Sequence, residues 1–571
     1  MFKPTIVLLL LLCLSSLLPA QRKLGVRPTD SGGVLLAEQA SYDVTYMDLQ
    51  VAVDPPTKSI QAELSLHATI VNPVEWLVLD LDTALIVDEV TFSGYEGSHH
   101  RAEVERRGNR LWIHLHFSRQ PGSKLEATIR YHGKPKEAPA PPWVGGFTWS
   151  STESGEPWIA TSMQSDGADL WFPCKDHPSD EPDSMHIRVT VPKGLIVASN
   201  GVLQKTIEEK NDKTTFHWFV ANPINNYNVA LNIAPYVLLD STFVSVAGDT
   251  MPFQFYVRPE RLEKGKILFM EMMEHVAFYE RLLGPYPFRN EKYGVAETPF
   301  LGMEHQTIIA YGNEYKASIY GYDLLHHHEL GHEWWGNLVT ALDWRDFWLH
   351  EGHCAYMHGL YNEERDGEAA YHAYFNAFRP RIRNLSPVAP RESQTATERY
   401  FLPPDYLESD GDVYNKGSLV LHALRFVIGK ENMLLSLRRF AYPTEEWEKR
   451  LDGSQCRFVT TDDYLRTAES IYKQPLDWFF EVYLRNAALP ELEIERVGKQ
   501  LTLKWKTVKD LPFPMPLEIS IDGNVQRYDF INGELELNVP SEAEVKVDPK
   551  NWVLKKMAKN EESNKESSKK N

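Results

Sequence analysis

The sequence predicts a multidomain α+β protein, and three observations carry that prediction. From about residue 40 to 240, apolar residues alternate with polar ones at the period of a sheet with one wet face. Ile60, Ala62, Leu64, Leu66, Ala68 and Ile70 are set between Gln61, Glu63, Ser65, His67 and Thr69. From Arg261 to about residue 486 the pattern turns helical, and beyond Pro490 the alternation returns in Leu492 and Ile494, Leu501, Leu503 and Trp505, and Leu517 and Ile519. A chain of 571 residues, 43% hydrophobic and 12% aromatic, is long enough to give three such units real cores.

Residues 1–20 open with Lys3, run through the apolar stretch Ile6 to Leu18 and end at Pro19-Ala20. A basic start, an apolar core and a small residue before the cut read as a secretory signal peptide, so the mature chain is expected to be exported, periplasmic or extracellular. No later stretch is apolar enough to span a bilayer. Residues 21–40 read as a linker and 41–248 as a β domain. In it Leu111, Ile113, Leu115 and Phe117 repeat the inward phase, His114 and His116 fall outward, and Pro139 to Gly146 forms a surface loop. The unit at 249–486 begins with a helix from Arg261 to Leu283 that should carry Ile267, Met270, Met273 and Ala277 inward and stop at Gly284-Pro285. Residues 487–550 read as a small β module and 551–571 as a disordered charged tail. Cys174, Cys354 and Cys456 are too few and too scattered for a disulfide framework, leaving room for one pair at most. A net charge of -19 excludes nucleic acid as a partner.

The chemistry concentrates at His328-Glu329-Leu330-Gly331-His332, with eighteen residues between His332 and Glu351. On a helix, histidines four apart point from one face and can bind a single zinc ion. Glu329 is poorly aimed to be a ligand, but it can reach a metal-activated water and take its proton. Glu351, in Trp348-Leu349-His350-Glu351-Gly352-His353, is the third ligand if a second helix folds back over the first. Two imidazoles, one carboxylate and an open position describe a catalytic site with one zinc per chain. Leu324, Leu325, Trp334, Trp335 and Leu338 would frame the zinc helix. His326 and His327 would pack it or support the ligands, and Asp346 would support Glu351 or cap its helix.

Around this motif the text resembles the aminopeptidase N family of gluzincin metallopeptidases, related to leukotriene hydrolase. The resembling segments are Gly336-Asn337-Leu338-Val339-Thr340, Trp348 to Gly352, Leu301-Gly302-Met303-Glu304-His305 in place of the exopeptidase motif Gly-x-Met-Glu-Asn, Tyr414-Asn415-Lys416-Gly417, and Gln164 placed ten residues before Cys174. The resemblance spans roughly residues 40 to 545. It implies an N-terminal β saddle domain, a thermolysin-like zinc catalytic domain and a small C-terminal β-sandwich, with the family's large C-terminal helical domain absent. The covering of the substrate channel would then be missing or come from a second subunit, and a homo-oligomer is compatible with that.

The implied activity is zinc-dependent removal of N-terminal residues from peptides with a free amino terminus. Glu329 would act as base and Tyr414 would steady the oxyanion. Glu304, helped by Gln164, would anchor the α-ammonium, with Gly302, Met303 and Phe300 lining the first side-chain site. Leu301 and His305 depart from the family motif and leave the shape of the amine pocket open. An endopeptidase or epoxide hydrolase variant, and a non-catalytic binding scaffold of the same fold, are the competing readings.

Overall fold

In the computed structural model, residues 30–93, 99–403 and 408–556 are described. The expected signal peptide, residues 21–29 of the linker and the tail from residue 557 lie outside the described residues.

The N-terminal part is built on an eight-stranded sheet whose centre pairs Tyr42–Asp54 with Ser59–Ile70 and with Ser184–Pro192. Ile60, Ala62, Leu64, Leu66, Ala68 and Ile70 are all buried. Each contributes about 1.5–3 kcal/mol when taken from water, alanine less, so a one-residue register slip would expose the whole set. A second sheet has four strands in the order Ile196–Ala198, Asn232–Ala234, Pro157–Ser162, Gly146–Ser151. Leu111, Ile113 and Leu115 point inward, but Phe117 is 48% exposed. His116 takes a left-handed φ of 64° where the pairing with Val74–Asp80 is irregular, so Phe117 leaves the inward row, which resumes at Arg119. The Pro139 to Gly146 loop is not a free surface loop. Val144, Gly145 and Gly146 are buried, and Gly145 N donates to Asp166 Oδ2 at 2.6 Å.

The expected boundary at 248/249 cuts a hairpin. Val237–Val244 pairs antiparallel with Thr250–Val257, which continues in parallel to Tyr293–Glu297 and Ile309–Tyr311, and Gly302–Met303 closes the sheet as an antiparallel edge. The second unit therefore starts at about Val237. Its helices are α1 (Leu262–Leu283), α2 (Leu324–Gly331), α3 (Trp348–Asp366), α4 (Glu368–Phe378), α5 (Ala396–Tyr400), α6 (Asp412–Ile428), α7 (Lys430–Ala441), α8 (Thr461–Tyr472) and α9 (Asp477–Tyr483). The inward face of α1 differs from the expected one. Leu268, Phe269, Met272, Val276, Tyr279 and Leu283 are buried, while Ile267 is 75% and Met270 61% exposed. Two apolar stripes compete on this helix, and the one bearing the aromatic rings buries more area.

Two three-stranded antiparallel sheets, one holding Gln500–Lys506 at its centre and one Leu517–Ile521, end the described chain. The tail begins later than residue 551. Val553 and Leu554 are buried, and Trp552 stacks on His422 with centroids 4.8 Å apart. The linker likewise ends earlier than residue 40, since Asp30 and Ser31 are buried and Ser31 O accepts from Ala396 N at 2.8 Å. Cys174, Cys354 and Cys456, the cysteines among the described residues, are free, and no helix among the described residues is long and apolar enough to cross a membrane.

Candidate active site

Close packing at glycines places the catalytic helices. Asp323 caps α2 by accepting from His326 N at 2.9 Å, and the helix runs about two turns past that cap before ending at His332. A Cβ on Gly331 would stand 2.6 Å from Tyr279 Oη and 3.0 Å from Cys354 Sγ, so glycine lets α2 lie against both α1 and α3. Trp334, Trp335 and Leu338, expected in the zinc helix, lie beyond its end and pack its far side as buried residues. α3 meets α6 at Gly352 and Gly417, where a Cβ on either would stand 3.1 Å from the other's Cα. That close crossing brings Tyr414 to Glu351, with Tyr414 Oη donating to Glu351 Oε1 at 2.8 Å.

His328, His332 and Glu351 converge. His328 Nε2 lies 3.1 Å and His332 Nε2 3.4 Å from Glu351 Oε2, and the two nitrogens are 3.3 Å apart. A tetrahedral zinc ion with bonds of about 2.0–2.2 Å sets its ligand atoms roughly 3.3–3.6 Å from each other, so this triangle fits one face of such an ion. His332 Nδ1 faces Trp335 O at 2.9 Å, a contact that keeps the proton on Nδ1 and leaves the Nε2 lone pair for a metal. His328 is stacked on His358, with ring centroids 5.6 Å apart. His326 and His327 take no part in the triangle. His326 Nδ1 meets His275 Nδ1 at 2.8 Å, and His327 is buried against Tyr361 and His358.

A second acidic group faces the triangle. Ligand atoms of Glu304, Glu329 and His332 lie within 4.8 Å of one another. Glu329 rests against the edge strand, where a Cβ on Gly302 would come 2.7 Å from its Oε1. Glu304 Oε1 accepts from Gln164 Nε2 and from Tyr227 Oη, the latter at 3.0 Å. Asn337 Nδ2 donates to Glu304 O at 3.0 Å and to Glu333 Oε2 at 3.3 Å, while Glu333 Oε1 accepts from Thr307 N at 2.9 Å. Thr307 has φ of 59°, a costly conformation for a β-branched residue, and the Glu333 carboxylate helps to hold it there. Met303 and Phe300 form a small apolar cluster with Ala160 and Ala310 beside Glu304.

Burial dominates the electrostatics. It pushes the Glu304 carboxyl up to about 7, with the Glu351 charge adding and His332 opposing. Glu329 is raised well above the carboxylate range by burial, then by its neighbours Glu304 and Glu351. Glu351 feels the same burial, but the imidazoles of His332 and His328 outweigh it and hold its carboxyl below the ordinary value. Tyr414 is raised by burial and by the Glu351 charge, so it stays a neutral hydrogen-bond donor.

Comparison with known proteins matches these two halves to one family. Residues 288–482 match the peptidase family M1 domain and residues 40–227 the peptidase M1 N-terminal domain. The chain belongs to peptidase family M1. As an M1 enzyme it is a hydrolase of the zinc metallo-aminopeptidase kind, zinc being a property of the family. It is 26% identical to leukotriene A-4 hydrolase of Xenopus laevis over 453 residues, covering 73% of this chain and 69% of that one. It is 24% identical to human glutamyl aminopeptidase over 383 residues, 63% of this chain but only 37% of that longer protein. The M1 zinc metallopeptidase from Deinococcus radiodurans shares the fold, with a TM-score of 0.63 at 23% identity over 80% of this chain and 96% of that one.

Within this M1 site, sequence reasoning missed Tyr227, Asn337 as a support, Glu333 and Tyr400, whose hydroxyl lies 2.7 Å from that of Tyr414. Tyr227 sits in the short 3-10 helix Asn226–Asn228 with no motif to mark it, and only its contact with Glu304 identifies it. Asp346 neither caps α3 nor touches the triangle. The residue before α3 is Phe347, and Asp346 Oδ1 accepts from Thr461 Oγ1 at 2.5 Å, tying the start of α3 to α8.

Proposed function

We propose that the protein is an exported aminopeptidase that binds one zinc ion per chain and hydrolyses the first peptide bond of peptides with a free N-terminus. One observation carries this reading. A buried carboxylate held by two donors, Glu304, lies within 4.8 Å of both Glu329 and His332. A metal triangle alone describes many hydrolases, whereas an acidic anchor one residue's length away selects substrates by their leading ammonium. The β-rich N-terminal part reads as the saddle domain, the sheet with α1 to α9 as a thermolysin-like catalytic domain, and the two final sheets as a small β-sandwich.

Nε2 of His328 and of His332 and Oε2 of Glu351 would hold the ion, which supplies Lewis-acid polarisation of a carbonyl and of water. Ionised Glu304, steadied by Gln164 and Tyr227, accepts the substrate's α-ammonium and so fixes which peptide bond reaches the triangle. Met303 and Phe300 present an apolar wall to the first side chain. Glu329 is positioned to take a proton from the attacking water and return it to the leaving amine, and burial raises its basicity for that task. Tyr414, neutral and already a donor, turns its O–H from Glu351 toward the oxyanion that develops from the scissile carbonyl.

The test pairs metal content with hydrolysis of aminoacyl chromogenic amides and their N-acetylated forms. Cleavage of the free forms alone is expected. Equal cleavage of both would remove the aminopeptidase reading in favour of an endopeptidase, and a zinc-loaded, inert protein would favour a binding scaffold.

A further inference from the structure

We propose that Tyr400 is a positioning residue of this active site, acting on the reaction through Tyr414. The inference rests on the aminopeptidase reading above. A phenol carries one proton, and that of Tyr414 goes to Glu351 Oε1 at 2.8 Å. The 2.7 Å contact between the two hydroxyls therefore runs from Tyr400 as donor to Tyr414 as acceptor. The acceptor and donor positions on a phenol oxygen are distinct. Tyr414 can thus turn its proton to a substrate oxyanion while keeping the bond from Tyr400. Receiving that bond fixes the Tyr414 hydroxyl and, by cooperative polarisation, makes it a stronger donor.

The surroundings of Tyr400 are built to hold it still. It closes α5, a helix of five residues, too short to persist by itself. Outside contacts stabilise that turn. Thr395 and Glu398 form a capping box, Ala396 N donates to Ser31 O at 2.8 Å, and Thr397 Oγ1 donates to Ser165 O at 3.3 Å. Arg399, itself buried, bonds Pro387 O at 2.8 Å and Asp410 Oδ2 at 3.1 Å. The Tyr400 ring lies 5.9 Å from that of Phe347, the residue before α3. The helix end is pinned from the N-terminal part, from the segment after Gln164 and from the base of α3, and its last side chain delivers one hydroxyl to Tyr414.

A double-mutant cycle of Tyr400→Phe and Tyr414→Phe tests this in the full zinc-loaded chain. Turnover of a leucyl anilide is read with zinc content, and the affinity of a phosphinic dipeptide, a tetrahedral mimic, is read by calorimetry. Tyr400→Phe is expected to lower kcat about 3- to 12-fold, the worth of one hydrogen bond, with KM and zinc content unchanged. The affinity for the mimic should fall by the same factor. In the Tyr414→Phe background the same change should cost nothing more. Equal losses in both backgrounds, an unchanged kcat, or a loss confined to KM or zinc would overturn the proposal. If the parent protein cleaves free and blocked substrates alike, the aminopeptidase reading falls. The calorimetric cycle still decides whether Tyr400 works through Tyr414.

Discussion

The His328, His332 and Glu351 triangle and Glu304, proposed as the amine anchor, sit side by side but are assembled in opposite ways. His328, His332 and Glu351 come from two helices adjacent in sequence, so their convergence is fixed by helical spacing and by one glycine-mediated crossing. Glu304 follows the edge strand Gly302–Met303, while Gln164 and Tyr227 come from a turn and a short 3-10 helix of the N-terminal part, joined only when the domains are packed. Locally encoded geometry is robust and legible. Distributed geometry depends on supports such as Asn337 and Glu333, and it is where substrate choice can vary without touching the chemistry.

That contrast predicts separable failures. Glu329→Gln keeps the triangle intact and removes the base, so turnover should fall on the order of 10³-fold or more with zinc content unchanged. Normal turnover in that variant would break the assignment. Glu304→Gln keeps a hydrogen-bond acceptor but removes the charge. The kcat/KM for free-amino substrates should drop roughly 10- to 100-fold, the worth of a hydrogen bond to a charged group. The slow background cleavage of N-acetylated peptides, where detectable, should stay level. An equal loss on both substrates would show that Glu304 serves the chemistry and not the amine.

The anchor's supports should also show in stability. Glu333 is pushed up to about 7 by burial, against the pull of its bonds from Thr307 and Asn337, and Glu304 likewise reaches about 7. The folded, metal-free protein then keeps protons that the unfolded chain has already released. The stability that these two groups contribute is fullest below the ordinary glutamate value and declines as pH rises from about 4.5 to 7. The slope is at most about 1.4 kcal/mol per pH unit for each group. In denaturant unfolding of the metal-free protein at several pH values, the stability of the parent minus that of Glu333→Gln should fall as pH rises over this range. An unchanged slope would mean that Glu333 does not carry the proton.

How much of this was readable from the sequence follows the same division. Period-two alternation located the inward residues of Ser59–Ile70 because both faces of a strand are written into neighbouring letters. It failed at Phe117, because the left-handed residue His116 bulges the strand out of its row for one step, without any change in composition. On α1 two apolar stripes were available, and packing against the sheet, which the sequence does not display, chose the aromatic one. In the site, the convergence of His328, His332 and Glu351 was legible from spacing, while Glu304, Gln164 and Tyr414 could be marked only through resemblance to a family. Tyr227 and Tyr400 belong to neither class. Their partners lie 77 and 14 residues away, and nothing short of the folded chain brings them there.

Tyr227 gives the finest test of the contrast. Its hydroxyl donates to the same Glu304 oxygen that Gln164 reaches. Burial and the nearby Glu304 charge raise it well above its ordinary value, so it is a neutral phenol throughout the working range. Removing one of two donors leaves the carboxylate partly satisfied and, if anything, more avid for a substrate ammonium, while loosening its aim. Tyr227→Phe should therefore change kcat/KM by no more than about 10-fold, the scale of one neutral hydrogen bond, and the change should fall on KM for short substrates. Zinc content and the Glu329→Gln effect should be untouched. If Tyr227→Phe instead lowered zinc affinity, the anchor and the triangle would be one cooperative unit, and the separation drawn between them would fail.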